Sequence, residues 1–437
     1  MSAHPNQQRR IAIVVQRYGA EINGGAELHA RLLAQALVPH YAVDVLTSRA
    51  LDYRQWDLHY PATESWLDGC RVLRFDHPPR DRSRRKHMPL RHKLRFKLRA
   101  WLARRGQPLA LPPSGEAVAD GEQYLRAQGP TMDGLLQHLH AHAHDYAALI
   151  FFTALYHPSA LGVLAAPHRA ILVPTLHDEK AMYLPHFHRV FRTPCWIMYN
   201  TMGEMAIAQR LYGSDLAPGE VCGVGIGSPG AAAETLPDAC AAWPAIAAQL
   251  GLQEPFLLYV GRVDRSKGCA ELFAQFARLR RQAPGLPLKL VVCGQLFMPA
   301  PQHPDILLAG FIGNAERDAL CAHALALVVP SRYESLSLVL LESLAAGCPV
   351  IVNRHCEVLR QHVQASGVGL DYADAAGFAE AVTTIQGWDA AKRESQAALG
   401  RAYVHDNYDW SRIVAKYRHV IDGMSDGMTD GTAAPST

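Results

Sequence analysis

The feature that most constrains the fold is a repeated alternation of short apolar runs and amphipathic helical segments. Short apolar runs bounded by turn residues are typical of buried strands in parallel sheets that helices cover on both faces. They fall into two series, which predicts an α/β fold of two doubly wound Rossmann-like domains facing across a cleft. The predicted strands are Ile11–Val15, Val43–Leu46, Arg71–Phe75, Ala148–Phe152 and Ala170–Val173, then Phe256–Val260, Leu288–Cys293, Ile306–Ala309, Ala326–Val329 and Pro349–Val352.

The length of 437 residues also favours two domains. We predict an N-terminal domain over 1–225 and a C-terminal domain over 251–405. Residues 226–250 are rich in Gly, Ala and Pro and hold no strand pattern, so we interpret them as the interdomain connection. Residues 423–437 have little to bury, and we expect a mobile tail there.

The charge is concentrated in one basic insertion within the N-terminal domain. Twelve residues between 80 and 105 are Lys or Arg and one, Asp81, is acidic, which gives the segment a charge of +11. Its apolar residues fall on one helical face, which predicts contact with an anionic membrane surface or a lipid diphosphate. Packing on its own domain is the main alternative, and we expect no nucleic acid as a partner. The apolar face consists of Leu90, Leu94, Leu98, Trp101 and Leu102.

No signal peptide core or membrane-spanning run is present in the sequence. The nine cysteines are scattered without a C-x-x-C pair, which is typical of a reducing compartment and argues against a zinc site. We therefore expect a cytoplasmic protein without a bound metal. If the basic insertion binds lipid, we expect the protein on the inner face of the plasma membrane.

The clearest chemistry follows the strand Phe256–Val260. The next residues run from Gly261 to Gly268, and ligands collect at the carboxyl ends of strands in parallel sheets. Arg262 offers a planar fork of donors and Lys267 a mobile point charge, which together suit a diphosphate. A solvated turn with ordinary surface cations is the alternative.

A second candidate segment follows the strand Ala326–Val329. The run Ser335–Ala346 is apolar on nearly all sides, which predicts a buried helix whose N-terminus points into the cleft, toward phosphate oxygens. Glu342, two turns into this helix, needs strong donors such as sugar or ribose hydroxyls. Glu334, eight residues earlier, is placed to meet a second group of the same ligand. Alternatively Glu342 pairs with a buried arginine or with backbone amides, and Glu334 lies on the surface.

The N-terminal domain offers weaker signals. Gly24 and Gly25 lie between the first strand and its helix, where glycines allow close backbone approach to a ligand. His177 follows the strand Ala170–Val173 and can hydrogen-bond a sugar hydroxyl or position an acceptor. A flexible turn and a polar surface loop are the respective alternatives. Asn200, Thr201 and Glu204 look first like a helix-capping arrangement.

Two of these features resemble glycosyltransferase family 4, over most of the chain from Ile11 to Val420. One is the glutamate pair Glu334 and Glu342, with Pro330-Ser331 ahead and Ala346–Ile351 behind; the other is Gly261-Arg262 with Lys267-Gly268. The resemblance implies a retaining enzyme of the GT-B type. Such an enzyme moves a sugar from a UDP- or GDP-type donor to a hydroxyl of a glycan or lipid-linked acceptor, in surface polysaccharide or glycolipid assembly. It uses no cofactor besides the donor substrate.

The resemblance also implies roles for single residues. Arg262, Lys267, Glu334 and His177 are the implied catalytic residues, with the two cations on the donor diphosphate and Glu334 on its sugar. A helix over 406–422 is expected to cross back to the N-terminal domain. Ser337 departs from the glycine of many family members, which puts the local backbone in question. The other implied donor-binding residues are Gly24, Gly25, Phe311, Ile312, Ser335, Leu336 and Glu342.

Two other functions fit the same fold. A sugar-nucleotide epimerase would use a similar donor pocket, and a non-catalytic protein would bind a sugar nucleotide without turnover. Cations placed at the leaving phosphate favour a transferase, because a pure binder has less need of them.

Overall fold

The computed structural model describes residues 8–22, 24–79, 98, 101, 115–229 and 236–429. The chain divides into two compact units. The first comprises Met1–Gly225 and Trp410–Thr437, and the second comprises Ile226–Asp409. Most of the predicted basic helix over 80–105 lies outside the described residues; its two described members, Leu98 and Trp101, are exposed.

The first unit is built on an eight-stranded sheet of order β3-β4-β2-β1-β5-β6-β7-β8. β3 pairs antiparallel with β4, and the other pairs are parallel. The strand order reverses between β1 and β5, so ligand-binding loops are expected at the carboxyl ends of these strands. The elements are β1 (Arg10–Val14), α1 (Gly25–Leu37), β2 (Ala42–Ser48), β3 (Glu64–Leu67), β4 (Cys70–Phe75), α2 (Gly115–Gln128), α3 (Asp133–His142), β5 (Leu149–Phe152), α4 (His157–Ala165), β6 (Ala170–Val173), α5 (Pro185–Arg192), β7 (Trp196–Tyr199), α6 (Met202–Tyr212) and β8 (Gly219–Val221).

The second unit is built on six parallel strands of order β11-β10-β9-β12-β13-β14. Here the order reverses between β9 and β12, which makes their carboxyl ends the switch point of this sheet. The elements are α7 (Leu236–Leu250), β9 (Phe256–Val260), α8 (Cys269–Gln282), β10 (Lys289–Cys293), β11 (Ile306–Gly310), α9 (Asn314–His323), β12 (Ala326–Val329), α10 (Leu338–Ala345), β13 (Val350–Asn353), α11 (Glu357–Ser366), β14 (Leu370–Tyr372), α12 (Ala375–Gln386) and α13 (Ala390–Tyr408).

The central strands are apolar because helices cover both of their faces. Every residue of β5, β6, β12 and β13 is buried. A strand buried on both sides has no polar alternation, and this explains the continuous apolar runs in the sequence. The α/β class with two doubly wound sheets is therefore confirmed.

Four strands are absent from the predicted set: β7, which lies inside the first sheet, and three short edge strands that carry no clear signal in the sequence. β3, β8 and β14 lie at sheet edges and have partly exposed residues. The segment interpreted as the interdomain connection contains α7, which packs inside the second unit. Trp243 of α7 stacks on His323, with ring centroids 4.0 Å apart.

The last helix, α14 (Trp410–Thr429), belongs to the first unit. The segment from residue 423, which we expected to be mobile, therefore begins as helix, and 430–437 lie outside the described residues. Two polar bonds anchor the middle of α14: Lys416 Nζ donates to the Val221 carbonyl at 2.7 Å, and Arg9 Nη1 lies 2.8 Å from Asp422 Oδ1. Within the described part of the chain, no helix is long and apolar enough to cross a membrane.

Candidate active site

The loop after β9 carries two cations in a closely bonded turn. Tyr259 Oη donates to the Arg262 carbonyl at 2.7 Å, which ties the loop back to its strand. Asp264 Oδ1 accepts from Ser266 Oγ at 2.6 Å and from the Lys267 N–H at 3.0 Å. Burial acts to raise the pKa of Asp264, but these hydrogen bonds lower it overall. The carboxylate therefore shapes the turn from which the two cations project.

The loop after β12 lies directly against this turn. A Cβ at Gly268, where φ is +77°, would collide with the Pro330 carbonyl oxygen, so a glycine is required for the two backbones to meet. Asn353 Nδ2 donates to the same carbonyl at 3.0 Å. Ser331 Oγ donates to the Lys267 carbonyl at 3.5 Å. The two loops at the switch point are thus fixed to each other.

This arrangement joins two predicted site residues. Lys267 Nζ lies 2.7 Å from Glu334 Oε1, and their side chains are 30% and 13% exposed. The pair is therefore accessible to a ligand while being partly shielded from water, which strengthens its electrostatic interactions. Arg262, in the same turn, is 38% exposed at its side chain and lies 4.0 Å from Asp264. Glu334 is therefore largely shielded from water, whereas Lys267 and Arg262 remain partly exposed.

Glu342 has a partner that the sequence did not identify. Arg317 Nη1 of α9 lies 3.1 Å from Glu342 Oε1, and both side chains are 19% exposed. Burial raises the pKa of Glu342, and the Arg317 guanidinium opposes that rise. Arg317 also donates to Asp318 Oδ1 at 3.0 Å. Glu342 therefore has an arginine partner, and its carboxylate is oriented before any ligand arrives.

The helix after β12 starts later than the sequence predicts. α10 begins at Leu338, so Ser335 and Leu336 precede it and Glu342 lies one turn from its start. The cause is Ser337, the N-cap residue, whose φ of 74° and ψ of 79° are left-handed. The doubt raised by serine at this position is thus justified, because the backbone here adopts a conformation that favours glycine.

Phe311 and Ile312 follow β11, two strands from the switch point. Phe311 is 72% exposed, so its ring is accessible to a ligand. Nothing in the sheet requires this ring, so a planar base remains its predicted contact.

In the first unit the glycine pair has two different environments. A Cβ at Gly24 would collide with the Glu27 carboxylate, whereas a Cβ at Gly25 would meet nothing within 4 Å. Glu27 is held by Arg17, whose Nε donates to Glu27 Oε1 at 2.9 Å. Gly24 is thus explained by local packing, and Gly25 presents an open backbone at the start of α1.

In the loop after β6, His177 and the adjacent Asp178 have different environments. Asp178 is held by Tyr183 and by Arg210, whose Nη2 lies 2.9 Å from Asp178 Oδ2. Asp178 is thereby committed to structural bonds within the first unit. The part-buried His177 is the stronger candidate for contact with a substrate, as the sequence suggested.

Glu204 organises this loop from behind. Its carboxylate accepts the backbone N–H groups of Leu176 and Asn200, and Thr201 Oγ1 accepts from the Glu204 N–H at 3.1 Å. Burial raises the pKa of Glu204 to about 8, although the two backbone donors act to lower it. The expected capping arrangement is present, and it also fixes the residue before His177. Across the described residues, no group of three His, Cys, Asp or Glu could hold a metal ion.

Comparison with known proteins identifies the region around the switch point. Residues 254–386 match the family model of Glycosyl transferases group 1. This region lies within the second unit and contains both loops and the Arg317–Glu342 pair. It is a glycosyltransferase domain.

One curated relative is a glycogen synthase of Mycobacterium tuberculosis. It is 32% identical over 181 residues, which cover 40% of this chain and 44% of the relative. The chain therefore matches less than half the length of that protein.

Solved structures share the architecture of the whole chain. Sucrose-phosphate synthase from Thermosynechococcus elongatus is similar at a TM-score of 0.65 and 19% identity, covering 96% of this chain and 100% of that one. The Anabaena protein HepE, solved in complex with UDP and glucose, is similar at 0.63 and 14%, covering 95% and 100%. These likenesses show the fold, which is that of GT-B type glycosyltransferases.

Proposed function

We propose that the protein is a retaining glycosyltransferase of family 4. It transfers a sugar from a UDP- or GDP-type donor to a hydroxyl group of a glycan or lipid-linked acceptor. The observation that carries the proposal is the meeting of Lys267 and Glu334 at the switch point of the second sheet, 2.7 Å apart. A cation and a carboxylate are there available together, where one ligand can present both a phosphate and a sugar hydroxyl.

The donor is held from three sides. Arg262 and Lys267 bind the diphosphate, Glu334 accepts from the sugar hydroxyls, and Glu342 accepts from the ribose hydroxyls. Arg317 keeps the Glu342 carboxylate in place, with 3.1 Å between Nη1 and Oε1. The N–H groups at the start of α10, with those of Ser335 and Leu336, add the positive end of a helix dipole to the phosphates. The exposed Phe311 and the half-buried Ile312 contact the base.

Catalysis rests on positioning and on stabilisation of the leaving group. The bond between the sugar C1 and the diphosphate oxygen breaks, and a bond from C1 to the acceptor oxygen forms on the same face. The acceptor proton passes to the departing phosphate. Arg262 and Lys267 neutralise the charge that develops on the diphosphate, in the role that a metal ion has in other transferases.

The first unit contributes the acceptor side. The Glu204 carboxylate accepts from the Leu176 N–H and so fixes the residue before His177. His177 hydrogen-bonds a substrate hydroxyl. The open backbone at Gly25, at the start of α1, allows close approach of a ligand. This assignment is supported by the position of both loops at carboxyl ends of the first sheet, β6 and β1.

The acceptor is expected at a membrane surface, in polysaccharide or glycolipid assembly. The sequence of the basic insertion 80–105 supports this, since cations on one helical face and apolar residues on the other suit an anionic lipid surface. A cytoplasmic site is supported by the free state of the eight cysteines whose side chains are described.

The test measures binding and turnover with a panel of UDP- and GDP-linked hexoses. At 100 times its dissociation constant, a true donor adds about 2.7 kcal/mol to the free energy of unfolding. Lys267→Met keeps the side-chain length but removes the cation, so we expect release of nucleoside diphosphate to fall by about 100-fold or more. Lys392→Met, on α13 outside the two loops, is the matched control and should behave as wild type.

Each rival has its own signature in this experiment. An isomerised donor would indicate an epimerase. Thermal stabilisation without turnover would indicate a non-catalytic protein that binds sugar nucleotides. Product of inverted configuration, read by NMR at the anomeric carbon, would refute the retaining mechanism. If no nucleotide sugar at millimolar concentration stabilises the wild type, the transferase assignment is wrong.

A further inference from the structure

A buried histidine lies behind the loop that carries Glu334. His362 of α11 is 3% exposed, and both of its ring nitrogens have partners. Nε2 lies 2.9 Å from the Leu336 carbonyl oxygen, and Nδ1 lies 2.9 Å from Tyr403 Oη of α13. Other buried histidines differ: His186 has no hydrogen-bond partner for either ring nitrogen within the described residues.

The partners of His362 define its tautomer. A carbonyl oxygen can only accept, so Nε2 carries the hydrogen and Nδ1 accepts from the Tyr403 hydroxyl. Tyr403 Oη in turn lies 3.3 Å from Tyr408 Oη. Burial lowers the pKa of His362 to about 4, so the ring stays neutral near pH 7. Leu336 is thus held by a fixed chain of hydrogen bonds that starts on α13.

The carbonyl that His362 holds determines the direction of a neighbouring N–H group. In a trans peptide the C=O of one residue and the N–H of the next point in opposite directions. The Ser337 N–H therefore points away from His362, on the opposite side of the Leu336–Ser337 peptide. A flip of this peptide would place the carbonyl, an acceptor, where an anion requires a donor.

The conformation of the Leu336–Ser337 peptide depends on the contacts that surround it. The left-handed φ of 74° at Ser337 is unfavourable for serine, and the Ser337 Oγ is buried without a hydrogen-bond partner among the described residues. Strained backbone of this kind persists when its surroundings hold it. α13, which supplies Tyr403, packs closely on α10: a Cβ at Gly400 would lie 2.9 Å from the Leu344 carbonyl oxygen.

We propose that His362 is a positioning residue for the donor diphosphate: by holding the Leu336 carbonyl, it aims the Ser337 N–H and the start of α10 at the phosphates. The inference rests on the proposed donor site. It assigns to α11 and α13 a part in phosphate recognition without any contact between His362 and the ligand.

The test compares nucleoside diphosphates with the matching monophosphates. Titration calorimetry gives the dissociation constants of UDP, UMP, GDP and GMP for wild type, His362→Phe and His362→Gln. Phe fills the space but cannot hold the carbonyl, so we expect diphosphate binding to weaken about 10- to 100-fold and monophosphate binding to change by less than about threefold. Gln can donate to Leu336 and accept from Tyr403, so it should restore diphosphate binding to within about threefold of wild type.

A second variant keeps the test decisive if His362→Phe fails to fold. Tyr403→Phe keeps the ring and removes only the hydroxyl that donates to His362 Nδ1, and we expect a diphosphate-specific loss of about three- to tenfold. If the wild type binds these nucleotides and both variants bind diphosphate equally well, or lose both ligands equally, the positioning role is refuted while the donor site stands. If the wild type binds none of the four nucleotides, the donor site itself is refuted, and this role with it.

Discussion

Ser337 connects the backbone to the chemistry at the scale of a single residue. It is the N-cap of α10, its φ is 74°, and its hydroxyl is buried without a partner in the described part of the chain. A side chain in the left-handed region costs about 1–2 kcal/mol, and an unpaired buried hydroxyl adds to that cost. A residue this unfavourable is more often retained for function than for stability.

We predict that Ser337→Gly raises the free energy of unfolding by about 0.5–1 kcal/mol. The gain from relieving the left-handed strain exceeds the extra chain entropy that glycine brings to the unfolded state. Urea denaturation of both proteins measures the difference. Ser337→Ala is the matched control, since it removes the same hydroxyl but keeps Cβ. Equal stability of the Gly and Ala variants would show that the strain is absent.

The sequence located Glu342 but not Arg317, and the reason is general. Glu342 is conspicuous because it is a carboxylate in an apolar helix. Arg317 lies in a helix of mixed polarity, where an arginine looks like any surface residue. Its position 3.1 Å from Glu342 depends on how α9 and α10 pack on one sheet, which no local pattern contains. The same holds for His362, whose contacts come from two other segments.

At the scale of elements, Glu204 of α6 links this helix to the loop after β6. The carboxylate is fully buried and accepts two backbone N–H groups from different segments. Its pKa of about 8 means that the folded state binds a proton more tightly than the unfolded chain does. Stability from this group is therefore full at low pH and is lost as the pH rises from about 4.5 toward 8.

We predict that the stability advantage of wild type over Glu204→Gln shrinks as the pH rises from 5 to 9, by about 2–4 kcal/mol, because one pKa unit corresponds to about 1.4 kcal/mol. Gln resembles the protonated carboxyl at every pH, so subtraction removes the other titrating groups. Denaturant unfolding at several pH values provides the measurement. Glu380→Gln, at an exposed position of α12, controls for the loss of any carboxylate. An advantage that grows with pH would mean that the two backbone donors outweigh burial.

The central strands other than β7 were predictable to within two residues, because burial on both faces leaves a continuous apolar run. β9 and β12 match their predicted bounds, as does β6. The edge strands β3, β8 and β14 were missed, since a strand with one neighbour keeps exposed residues and is defined by pairing rather than by composition. The start of α10 was misplaced for a different reason, the backbone of Ser337, which apolar periodicity cannot reveal.

At the scale of the whole molecule, the first unit is assembled from both ends of the described chain. α14 returns to it and buries Ile413, Tyr417 and Ile421 completely. Each of these side chains stabilises the first unit by about 1.5–3 kcal/mol. The second unit, Ile226–Asp409, contains all of its own strands and does not need α14 to complete its sheet.

We predict that removal of residues 410–437 destabilises the first unit by on the order of 5 kcal/mol and leaves the second unit folded. Limited proteolysis with mass spectrometry should show new cleavage within residues 8–225 and continued protection of 254–386. Removal of 430–437 alone is the matched control and should leave the cleavage pattern unchanged. Equal loss of protection in both units would contradict their independence.

The return of α14 also sets the order in which the protein can mature on the ribosome. Domains generally fold during synthesis from the N-terminus onward. Here the first unit emerges early but waits for its closing helix until the second unit, Ile226–Asp409, has been made in full. The second unit can therefore be complete while the first unit still exposes the apolar surface that Tyr417 covers.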